Sequence, residues 1–396
     1  MEKFIYYAPT EVVFGKKTEL EVGNLVKKYD GTKVLIVYGG GSIVKNGLLE
    51  RVETTLKTSG ISVVLWGGVK PNPRLSHAKA GVELAIKEQV DFILAVGGGS
   101  AIDTAKGIAH GTANPDADLW DIWTKRIPIE KSLPIGVILT ISAAGSEMSD
   151  SAVLTNEEIG KKSGFGTPLN RPKFTIMNPE LTFTLSKYQI ACGIADIMMH
   201  TLERYFIPNQ NNRLTDEIAE GVLRTVIDNG RIAVQNPTDY GAMSEIMWCG
   251  SLSHNDLTGL GRGKDFCVHK FGHALSAKFD VAHGASLTTI WGHWANYVYE
   301  NDLERFKHYA KAVWGIETED AKCAAEEAIE RTVAYFKEIG MPTRLSELGV
   351  GILDEETLKA LSLDATMEGT VELSFIRKLG VDDVYRIFEM ANLCRR

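Results

Sequence analysis

The sequence predicts a two-domain protein of the α/β class, in which a doubly wound parallel sheet is followed by an all-α domain. Three observations support this prediction. The chain has 396 residues, whereas single domains average roughly 150. Apolar, β-branched runs alternate with helix-like segments over about the first 185 residues. Helical periodicity replaces those runs further on, so we expect domains at residues 1–185 and 186–396.

The strand candidates are apolar at nearly every position and are separated by glycines and helix-like segments. Such runs are typical of parallel strands that helices cover on both faces. The clearest are Lys33–Tyr38, Ile61–Trp66, Asp91–Val96 and Leu133–Thr140. In the second half, apolar residues recur at helical spacing on segments that also have a charged face. These segments are Asp216–Ile232, Asn301–Ala312 and Thr318–Lys337.

Composition and charge exclude several classes of protein. Hydrophobic residues make up 44% of the chain and charged residues 24%, which is close to the average of folded globular proteins and excludes long disorder. With 43 Lys and Arg against 51 Asp and Glu, the net charge is −8. No basic cluster with interleaved aromatics is present, so we expect no nucleic-acid partner.

Cysteine usage and the length of apolar runs indicate the compartment. The five cysteines are widely scattered and form no C-x-x-C pair, so we expect reduced thiols. No apolar run reaches the roughly 18 residues of a membrane-spanning helix, and the N-terminus lacks the apolar region of a signal peptide. We therefore expect a cytoplasmic protein with no membrane partner.

Two strand candidates each run into three glycines and a serine before a helix. The first turn is Gly39-Gly40-Gly41-Ser42 and the second is Gly97-Gly98-Gly99-Ser100. Glycine lets a phosphate approach backbone N–H groups, and a helix N-terminus attracts negative charge. A tight connection alone would explain either turn, and neither has the G-x-G-x-x-G spacing. Two such turns in one domain favour a bound dinucleotide.

A third segment, which follows the run Leu133–Thr140, is rich in small and hydroxylated residues and includes Thr140 and Ser142. Ligands of open α/β sheets bind at the carboxyl ends of the strands, so this segment is placed to meet the same cofactor. Asp103 and Lys106 open the helix after the second turn. We count Asp103 as a candidate cofactor contact, although a plain capping or surface role explains both residues equally.

The surroundings of the first turn bear on which dinucleotide is bound. No Asp or Glu lies near it to grip a ribose 2′-hydroxyl, whereas Ser42 and Lys45 are present. Because an acidic group there would repel a 2′-phosphate, its absence permits NADP(H).

Four histidines and one aspartate form two compact patterns in the second half. Asp196 and His200 are four residues apart, which places a carboxylate and an imidazole on one helix face. His269 and His273 repeat that spacing, and His283 follows ten residues later. Together these side chains supply three or four N and O ligands for a divalent metal. Spacing alone leaves open which of the last three histidines ligate.

A simpler explanation also exists for part of this pattern. An i,i+4 ion pair would account for Asp196 and His200 by themselves. The remaining histidines lack comparable neighbours, and we interpret them as surface or satisfied core residues: His77, His110, His254, His293 and His308.

These motifs, in this order, resemble the iron-containing (group III) alcohol dehydrogenase family. The resemblance covers essentially the whole chain and extends to residues 71–73, 171–173 and 280–284. Residues 38–42 and 45–47 look most like the butanol dehydrogenase and NADPH-dependent aldehyde reductase branch. The resemblance implies a dehydroquinate synthase-like two-domain fold, with a Rossmann-like, dinucleotide-binding domain at 1–185 and a helical metal-binding domain at 186–396.

The resemblance also implies roles for individual residues. Metal ligands are expected at Asp196, His200, His269 and His283, and His273 is expected as the catalytic residue beside the nicotinamide and the substrate. With the turn residues described above, the expected coenzyme-binding set is Gly39, Gly40, Gly41, Ser42, Asn72, Gly97, Gly98, Gly99, Ser100, Asp103, Thr140, Ser142, Ser149 and Lys162.

Two features of the resemblance concern specificity. Gly40 aligns with a position where NAD-preferring relatives carry Asp, and Gly41 and Ser42 are expected around the adenosine 2′-phosphate, so NADP(H) is expected to be preferred over NAD(H). The chain departs from the family at residues 143–144, which are Ala-Ala instead of Gly-Thr, and at residues 271–272. There Phe271-Gly272 replaces an Ile-Glu before His273, which removes a Glu from beside that histidine.

We expect reversible reduction of small or medium aliphatic aldehydes to primary alcohols, with one divalent metal, Fe²⁺ or Zn²⁺. The resemblance to the family, and no pattern in the sequence, implies a homodimeric assembly. In such chemistry the metal polarises the carbonyl and the coenzyme carries the hydride. A glycerol- or diol-type dehydrogenase of the same superfamily is one alternative. A metal-dependent hydrolase is another, although it leaves the glycine turns without a role. A binding protein without catalysis, in which the Asp/His cluster is dispensable, is the third.

Overall fold

The structure is a computed structural model that describes residues 1–208 and 211–392. It divides into two compact units. The α/β unit comprises Tyr7–Leu185, and the helical unit comprises Met1–Tyr6 together with the chain from Ser186 onward. Of the five cysteines, Cys394 lies outside the described residues, and the other four are free thiols.

Six strands of the α/β unit form one sheet, and two form a separate hairpin. Every neighbouring pair in the sheet is parallel, and the strand order is β1-β8-β5-β4-β2-β3. Strands β6 and β7 pair in an antiparallel ladder. The strands are β1 (Glu11–Phe14), β2 (Lys33–Tyr38), β3 (Ser62–Trp66), β4 (Phe92–Gly97), β5 (Ile135–Leu139), β6 (Ser151–Asn156), β7 (Lys161–Gly166) and β8 (Phe174–Met177).

Helices cover this sheet because its strands are apolar at successive positions. Val26 and Val52, from two of the helices, join Val34 of β2 in one buried core. Leu35 is buried as well, and because side chains alternate along a strand it faces the opposite side. This arrangement confirms the doubly wound, Rossmann-like prediction. The helices are α1 (Val22–Lys28), α2 (Ser42–Lys45), α3 (Leu48–Thr58), α4 (Leu75–Lys87), α5 (Gly99–Ala113) and α6 (Leu119–Trp123).

The sequence did not predict β1, β8 or the β6–β7 hairpin. Strands β1 and β8 have four residues each, which is too short for a periodic signal to develop. Strand β7 reads Lys-Lys-Ser-Gly-Phe-Gly, a composition that is poor in the β-branched and aromatic residues typical of strands. Pairing with neighbouring strands therefore determines these segments more than local propensity does.

The order in which the chain adds strands to the sheet changes direction between β2 and β4. The chain leaves β2 for β3 on one side, returns to β4 on the other side, and continues to β5. In the register of the sheet Tyr38 lies beside Val96, and Gly97 lies beside Leu139. The turns that follow β2, β4 and β5 consequently share one edge at a topological switch point, which is where open α/β sheets bind their ligands.

The helical unit is built from nine helices within the described part of the chain, three of which match the predicted helical segments. A capping box between Ser186 and Gln189 opens the first helix. No helix among the described residues is long and apolar enough to cross a bilayer. The helices are α7 (Lys187–Tyr205), α8 (Arg213–Gln235), α9 (Tyr240–His254), α10 (Cys267–Phe279), α11 (His283–Val298), α12 (Leu303–Trp314), α13 (Ala321–Glu338), α14 (Glu355–Ala365) and α15 (Val381–Asn392).

Two arginines hold the C-terminal end of α7. The carbonyl of Tyr205 accepts hydrogen bonds from Arg262 Nη1 at 3.1 Å and Arg305 Nε at 2.9 Å. Both guanidinium groups also bind the carboxylate of Asp216. Cations at a helix C-terminus are favourable because they meet unpaired carbonyls and the negative end of the helix dipole. This clamp fixes the position of the helix that carries Asp196 and His200.

Candidate metal centre and coenzyme edge

Three helices of the helical unit bring the predicted metal ligands together. Asp196 and His200 lie one turn apart on α7, His269 lies in the first turn of α10, and His283 is the first residue of α11. Asp196, His200 and His269 are buried, and each offers a ligand atom within 4.8 Å of the other two. His283 Nε2 is 3.6 Å from Asp196 Oδ1. All four side chains therefore face one point.

The carboxylate of Asp196 is the centre of this arrangement. Its Oδ1 atom is 3.2 Å from His200 Nδ1 and 3.6 Å from His269 Nε2. Both Asp196 Oδ1 and His269 Nε2 are buried without a hydrogen-bond partner among the described residues. Buried polar atoms are almost always satisfied in native proteins, and a divalent cation would satisfy these. One carboxylate and three imidazoles are a donor set suited to Fe²⁺ or Zn²⁺.

The protonation states fit a cation site as well. Burial raises the pKa of Asp196, but His200 and His283 lower it more, so that this pKa lies well below its ordinary value and the carboxylate is ionised. Burial lowers the pKa of His200. Burial also lowers the pKa of His269, but the carboxylates of Glu203 and Asp196 outweigh it and raise that pKa to about 9. A bound cation would replace the proton that His269 otherwise holds.

Glu203 is a buried residue of the site that the sequence interpretation missed. Its carboxylate accepts hydrogen bonds from the backbone N–H of Val268 and of His269, and it bonds His269 Nδ1. An acceptor at Nδ1 fixes the tautomer of His269 and leaves Nε2 to face Asp196. The sequence does contain a sign of this role. Asp196, His200 and Glu203 are separated by four and then three residues, which places all three side chains on one face of a helix.

His254 also lies at the site, although the sequence placed it among ordinary histidines. Its ring centroid is 4.1 Å from that of His200, and its Nδ1 accepts a hydrogen bond of 3.0 Å from Arg204 Nη2. Arg204 Nη1 also donates to the His200 carbonyl at 2.7 Å, and its guanidinium lies over the ring of Phe266. Burial, together with His200 and Arg204, holds the pKa of His254 well below its ordinary value, so this ring is neutral.

Two glycines allow the ligand helices to approach each other. A Cβ on Gly284 would lie 2.2 Å from the carbonyl oxygen of Cys192, so α11 could not reach α7 with a larger residue at this position. A Cβ on Gly272 would lie 2.7 Å from Leu287 Cδ2 and 2.8 Å from Ser286 Oγ. Position 272, where the chain departs from the family, therefore lies in the interface between α10 and α11.

His273 lies beside the ligand group. Its ring is 6.2 Å from that of His269 and stacks on that of His283 at 5.4 Å, between centroids. It is partly exposed, so it lies at the border of the buried ligand group and can reach solvent. An imidazole in this position is able to exchange protons with a substrate.

The predicted coenzyme residues of the α/β unit gather at the carboxyl edge of its sheet. Gly98 caps the N-terminus of α5, and a Cβ on Gly98 would lie 3.0 Å from Ile141 Cβ. The segment after β5 is joined to the second glycine turn by a 3.0 Å hydrogen bond from the N–H of Thr140 to the carbonyl of Gly97. The first glycine turn follows the neighbouring strand β2.

Side chains at this edge also fit a ligand. Ser142 Oγ is buried with no hydrogen-bond partner among the described residues, so its hydroxyl is available to a bound ligand. Lys162 Nζ donates to Asn72 Oδ1 at 2.9 Å, so two predicted contacts from distant parts of the sequence lie together. Asn72 adopts a left-handed conformation, with φ of 54°, which is a strain often found at functional sites.

Asp103, a predicted coenzyme contact, is hydrogen-bonded within the protein. Its carboxylate accepts hydrogen bonds from Ser146 Oγ at 2.6 Å and from the N–H of Val153 at 2.9 Å. Each oxygen therefore has one partner within the protein, and Asp103 stays a predicted coenzyme contact on the helix that follows the second glycine turn. Ser149 is likewise turned inward, because its Oγ donates to the carbonyl of Ser151.

Comparison with known proteins is consistent with this geometry. Residues 9–179 match the model of the iron-containing alcohol dehydrogenases, and residues 190–392 match the model of the C-terminal part of the Fe-containing alcohol dehydrogenase family. The chain belongs to the iron-containing alcohol dehydrogenase family. The family-level expectation from the sequence is thus confirmed, and the chain is an alcohol dehydrogenase of a family that uses a metal and a nicotinamide coenzyme.

Individual relatives match over nearly the whole chain. The chain is 41% identical to NADH-dependent butanol dehydrogenase A of Clostridium acetobutylicum, over 98% of this chain and 99% of that protein. It is 33% identical to the NADPH-dependent aldehyde reductase YqhD of Escherichia coli, over 99% and 100%. The crystal structure of NADH-dependent butanol dehydrogenase A from Thermotoga maritima superposes with a TM-score of 0.95 at 37% identity, and the match covers 99% of both chains.

The contact between Glu203 and His269 leads to a testable expectation. Glu203→Gln removes the carboxylate that orients His269, so metal affinity should fall by about 10- to 100-fold. Competition with a chromophoric chelator, using Zn²⁺ or Co²⁺, measures this affinity. The matched control is Glu220→Gln, because Glu220 is also buried in the helical unit but bonds Tyr205 and His308 instead. Equal metal affinity in Glu203→Gln and the wild type would contradict the role of Glu203.

Proposed function

We propose that this enzyme reversibly reduces small and medium aliphatic aldehydes to primary alcohols at a divalent metal, Fe²⁺ or Zn²⁺, held by Asp196, His200, His269 and His283. The observation that carries the proposal is the convergence of these side chains on one point, with Asp196 Oδ1 and His269 Nε2 buried and unsatisfied among the described residues. Buried polar atoms without partners destabilise a folded protein. A group of such atoms is therefore better explained by binding of a cation than by a contribution to the stability of the fold.

Each part of the chain contributes a defined function to this reaction. When bound, the metal supplies Lewis-acid polarisation of the carbonyl oxygen, and the nicotinamide supplies the hydride. Glu203 orients His269, and Arg204 with His254 supports His200. The glycine turns and Ser142 of the α/β unit bind the coenzyme and orient it.

His273 is the proton donor in the reductive direction. It is not among the four converging ligands, its ring stacks on His283, and it is partly exposed. A general acid must reach both the reacting oxygen and a source of protons. His273 combines proximity to the ligand group with access to solvent, and it passes a proton to the alkoxide oxygen that develops on the substrate.

NADP(H) is proposed as the preferred coenzyme. The first glycine turn carries no acidic side chain, a Cβ on Gly40 would meet nothing within 4 Å, and Lys45 Cε lies 3.7 Å from the place of a Cβ on Gly41. An open turn beside an ammonium group accommodates a 2′-phosphate. The aldehyde reductase relative named above is NADPH-dependent, whereas the two butanol dehydrogenases are named as NADH-dependent.

The function is tested by the loss of NADPH absorbance on addition of butanal to metal-loaded enzyme. We expect turnover that disappears after treatment with a chelator and returns on addition of Fe²⁺ or Zn²⁺. His273→Gln should lower kcat by about 10²- to 10⁴-fold without loss of bound metal.

The substrate panel separates the proposal from its alternatives. It should extend from propanal to octanal and include a diol oxidised in the reverse direction. Metal-dependent turnover confined to diols would assign the enzyme to diol oxidation, and the absence of turnover with every member, at full metal occupancy, would reject the proposal.

The coenzyme proposal is tested by Gly40→Asp. Unit charges about 4 Å apart repel each other by about 1 to 4 kcal/mol in this setting, so NADPH affinity should fall by at least about 5-fold while NADH affinity changes little. Gly40→Asn is the matched control, because it adds the same volume without the charge. Fluorescence titration measures both affinities, and an unchanged NADPH affinity in Gly40→Asp would show that the 2′-phosphate binds elsewhere.

A homodimer is proposed from the N-terminal segment. Phe4, Ile5, Tyr6 and Tyr7 are all exposed, and Ile5 is 85% exposed. They precede β1, an edge strand of the parallel sheet. Contiguous exposed apolar residues are typical of a surface that another chain covers, and a second copy of this chain is the simplest occupant.

Ile5→Asp should convert the dimer to a monomer, because it places a charge in the proposed apolar contact. Light scattering coupled to size-exclusion chromatography measures the mass of each species. The control is Ile159→Asp, since Ile159 is also an exposed isoleucine but lies between β6 and β7. A monomeric wild type, or a dimer that survives Ile5→Asp, would refute the proposed surface.

A further inference from the structure

Lys106 is a fully buried lysine in the middle of α5. Its ammonium group donates to the carbonyls of Ser146 and Ser151 at 2.7 Å each and of Ser149 at 3.4 Å, and to Ser146 Oγ at 2.9 Å. Lysine is almost never buried completely unless it is paired. All these acceptors lie in or next to the segment 140–151, which we call the β5–β6 loop.

Asp103 completes this network from the same helix. It precedes Lys106 by three residues, so the two side chains share one face of α5. Ser146 Oγ donates to Asp103 while it accepts from Lys106, and the N–H of Val153 donates to the other carboxylate oxygen. The helix that follows the second glycine turn is therefore bonded to both ends of the stretch 146–153.

The β5–β6 loop depends on this network because its own hydrogen bonds are few. Among the described residues, the backbone bonds that the segment 142–151 makes within itself are those from Met148 to Gly145 and from Ser149 to Ser146. Arg171 Nη1 donates to the Met148 carbonyl at 2.6 Å. The side chains of Lys106 and Arg171 thus both donate hydrogen bonds to carbonyls of the loop.

The charged form of lysine is suited to this task. An ammonium group has three donors and no acceptor, and here it faces three carbonyl oxygens and one hydroxyl. A methionine of similar length would fill the space but would satisfy none of them. A purely structural core position is usually occupied as stably by an apolar residue as by a buried charge. The charge at Lys106 is therefore better explained by the loop that it holds.

That loop carries Ser142, whose buried hydroxyl has no partner among the described residues, and it begins at Thr140, which bonds Gly97 of the second glycine turn. We propose that Lys106 is a positioning residue for the coenzyme: its ammonium group fixes the β5–β6 loop on α5, so that Ser142 and the N-terminus of α5 are held in register as one binding surface. The inference rests on the proposed function, since it concerns the affinity for the same coenzyme.

The inference has a consequence for pH dependence. Burial lowers the pKa of Lys106 to about 8, against the opposing effect of Asp103, Glu147 and Asp150, while Arg171 lowers it further. Below this pH all three donors are present and the loop is held. Above it the amine loses one donor and one carbonyl is left without a partner. Coenzyme affinity should therefore weaken as the pH rises through about 8, and in Lys106→Met this step should be absent.

The test compares Lys106→Met with Lys79→Met as metal-loaded enzymes. Lys79 lies on α4 of the same unit and forms an exposed ion pair with Asp118, so it controls for loss of a lysine. Fluorescence titration with NADPH and with NADH should give a Kd about 10- to 100-fold higher in Lys106→Met. Metal content and kcat at saturating coenzyme should stay within about 2-fold of the wild type, since the displacement concerns coenzyme binding.

The outcomes separate this inference from the proposed function. If the wild type binds neither nucleotide, both are overturned. If the wild type binds and Lys106→Met binds with the same Kd, only the role of Lys106 is overturned. Should Lys106→Met not fold, Ser146→Ala and the pH profile of the wild type decide: a raised Kd in Ser146→Ala together with a weakening near pH 8 supports the inference, and a Kd that is flat from pH 6.5 to 9.5 overturns it.

Discussion

The buried carboxylate of Asp196 constrains how the helices of the helical unit are arranged. It is buried and ionised among three imidazoles, and a buried charge persists only where partners surround it. The surrounding imidazoles come from three helices, so the placement of α7, α10 and α11 has to be correct together for a cation to be bound. The arginine clamp at the end of α7 and the bond from Glu203 to the start of α10 provide that placement.

A similar principle organises the α/β unit. There the sheet register places three turns at one edge, but register alone leaves the long segment after β5 undetermined. The buried ammonium group of Lys106 holds this segment, because it donates hydrogen bonds to several of its carbonyls at once. In the helical unit Asp196 and His200 lie within α7, and His269 and His283 lie at the starts of α10 and α11. In both units buried charged groups bond the segments that carry the candidate binding residues.

Much of this arrangement follows from the sequence, and the exceptions have physical reasons. Strand β2 was predicted with its observed bounds because a parallel strand covered on both faces is apolar throughout. The i,i+4 spacing of Asp196 and His200 and of His269 and His273 indicated a cluster of metal-binding side chains, because that spacing is visible in a single sequence. The resemblance to the family, not the spacing, assigned His269 and His283 as ligands. Glu203 was missed, and His254 and Lys106 were interpreted as ordinary core or surface residues. Their partners lie far along the chain, so no local sequence pattern shows that the fold buries them.

Gly272, which stands where the family resemblance led us to expect Glu, is explained by the packing of α10 against α11. The sequence suggested that loss of a family Glu would change the surroundings of His273. In the structure, the space where a side chain would begin is filled by Leu287 and Ser286 of α11, and Ser276, one turn further along α10, lies 3.5 Å from Ser286. Because α10 and α11 carry His269 and His283, their close approach at Gly272 contributes to ligand geometry. Gly272 therefore permits the close approach of the two helices that carry His269 and His283.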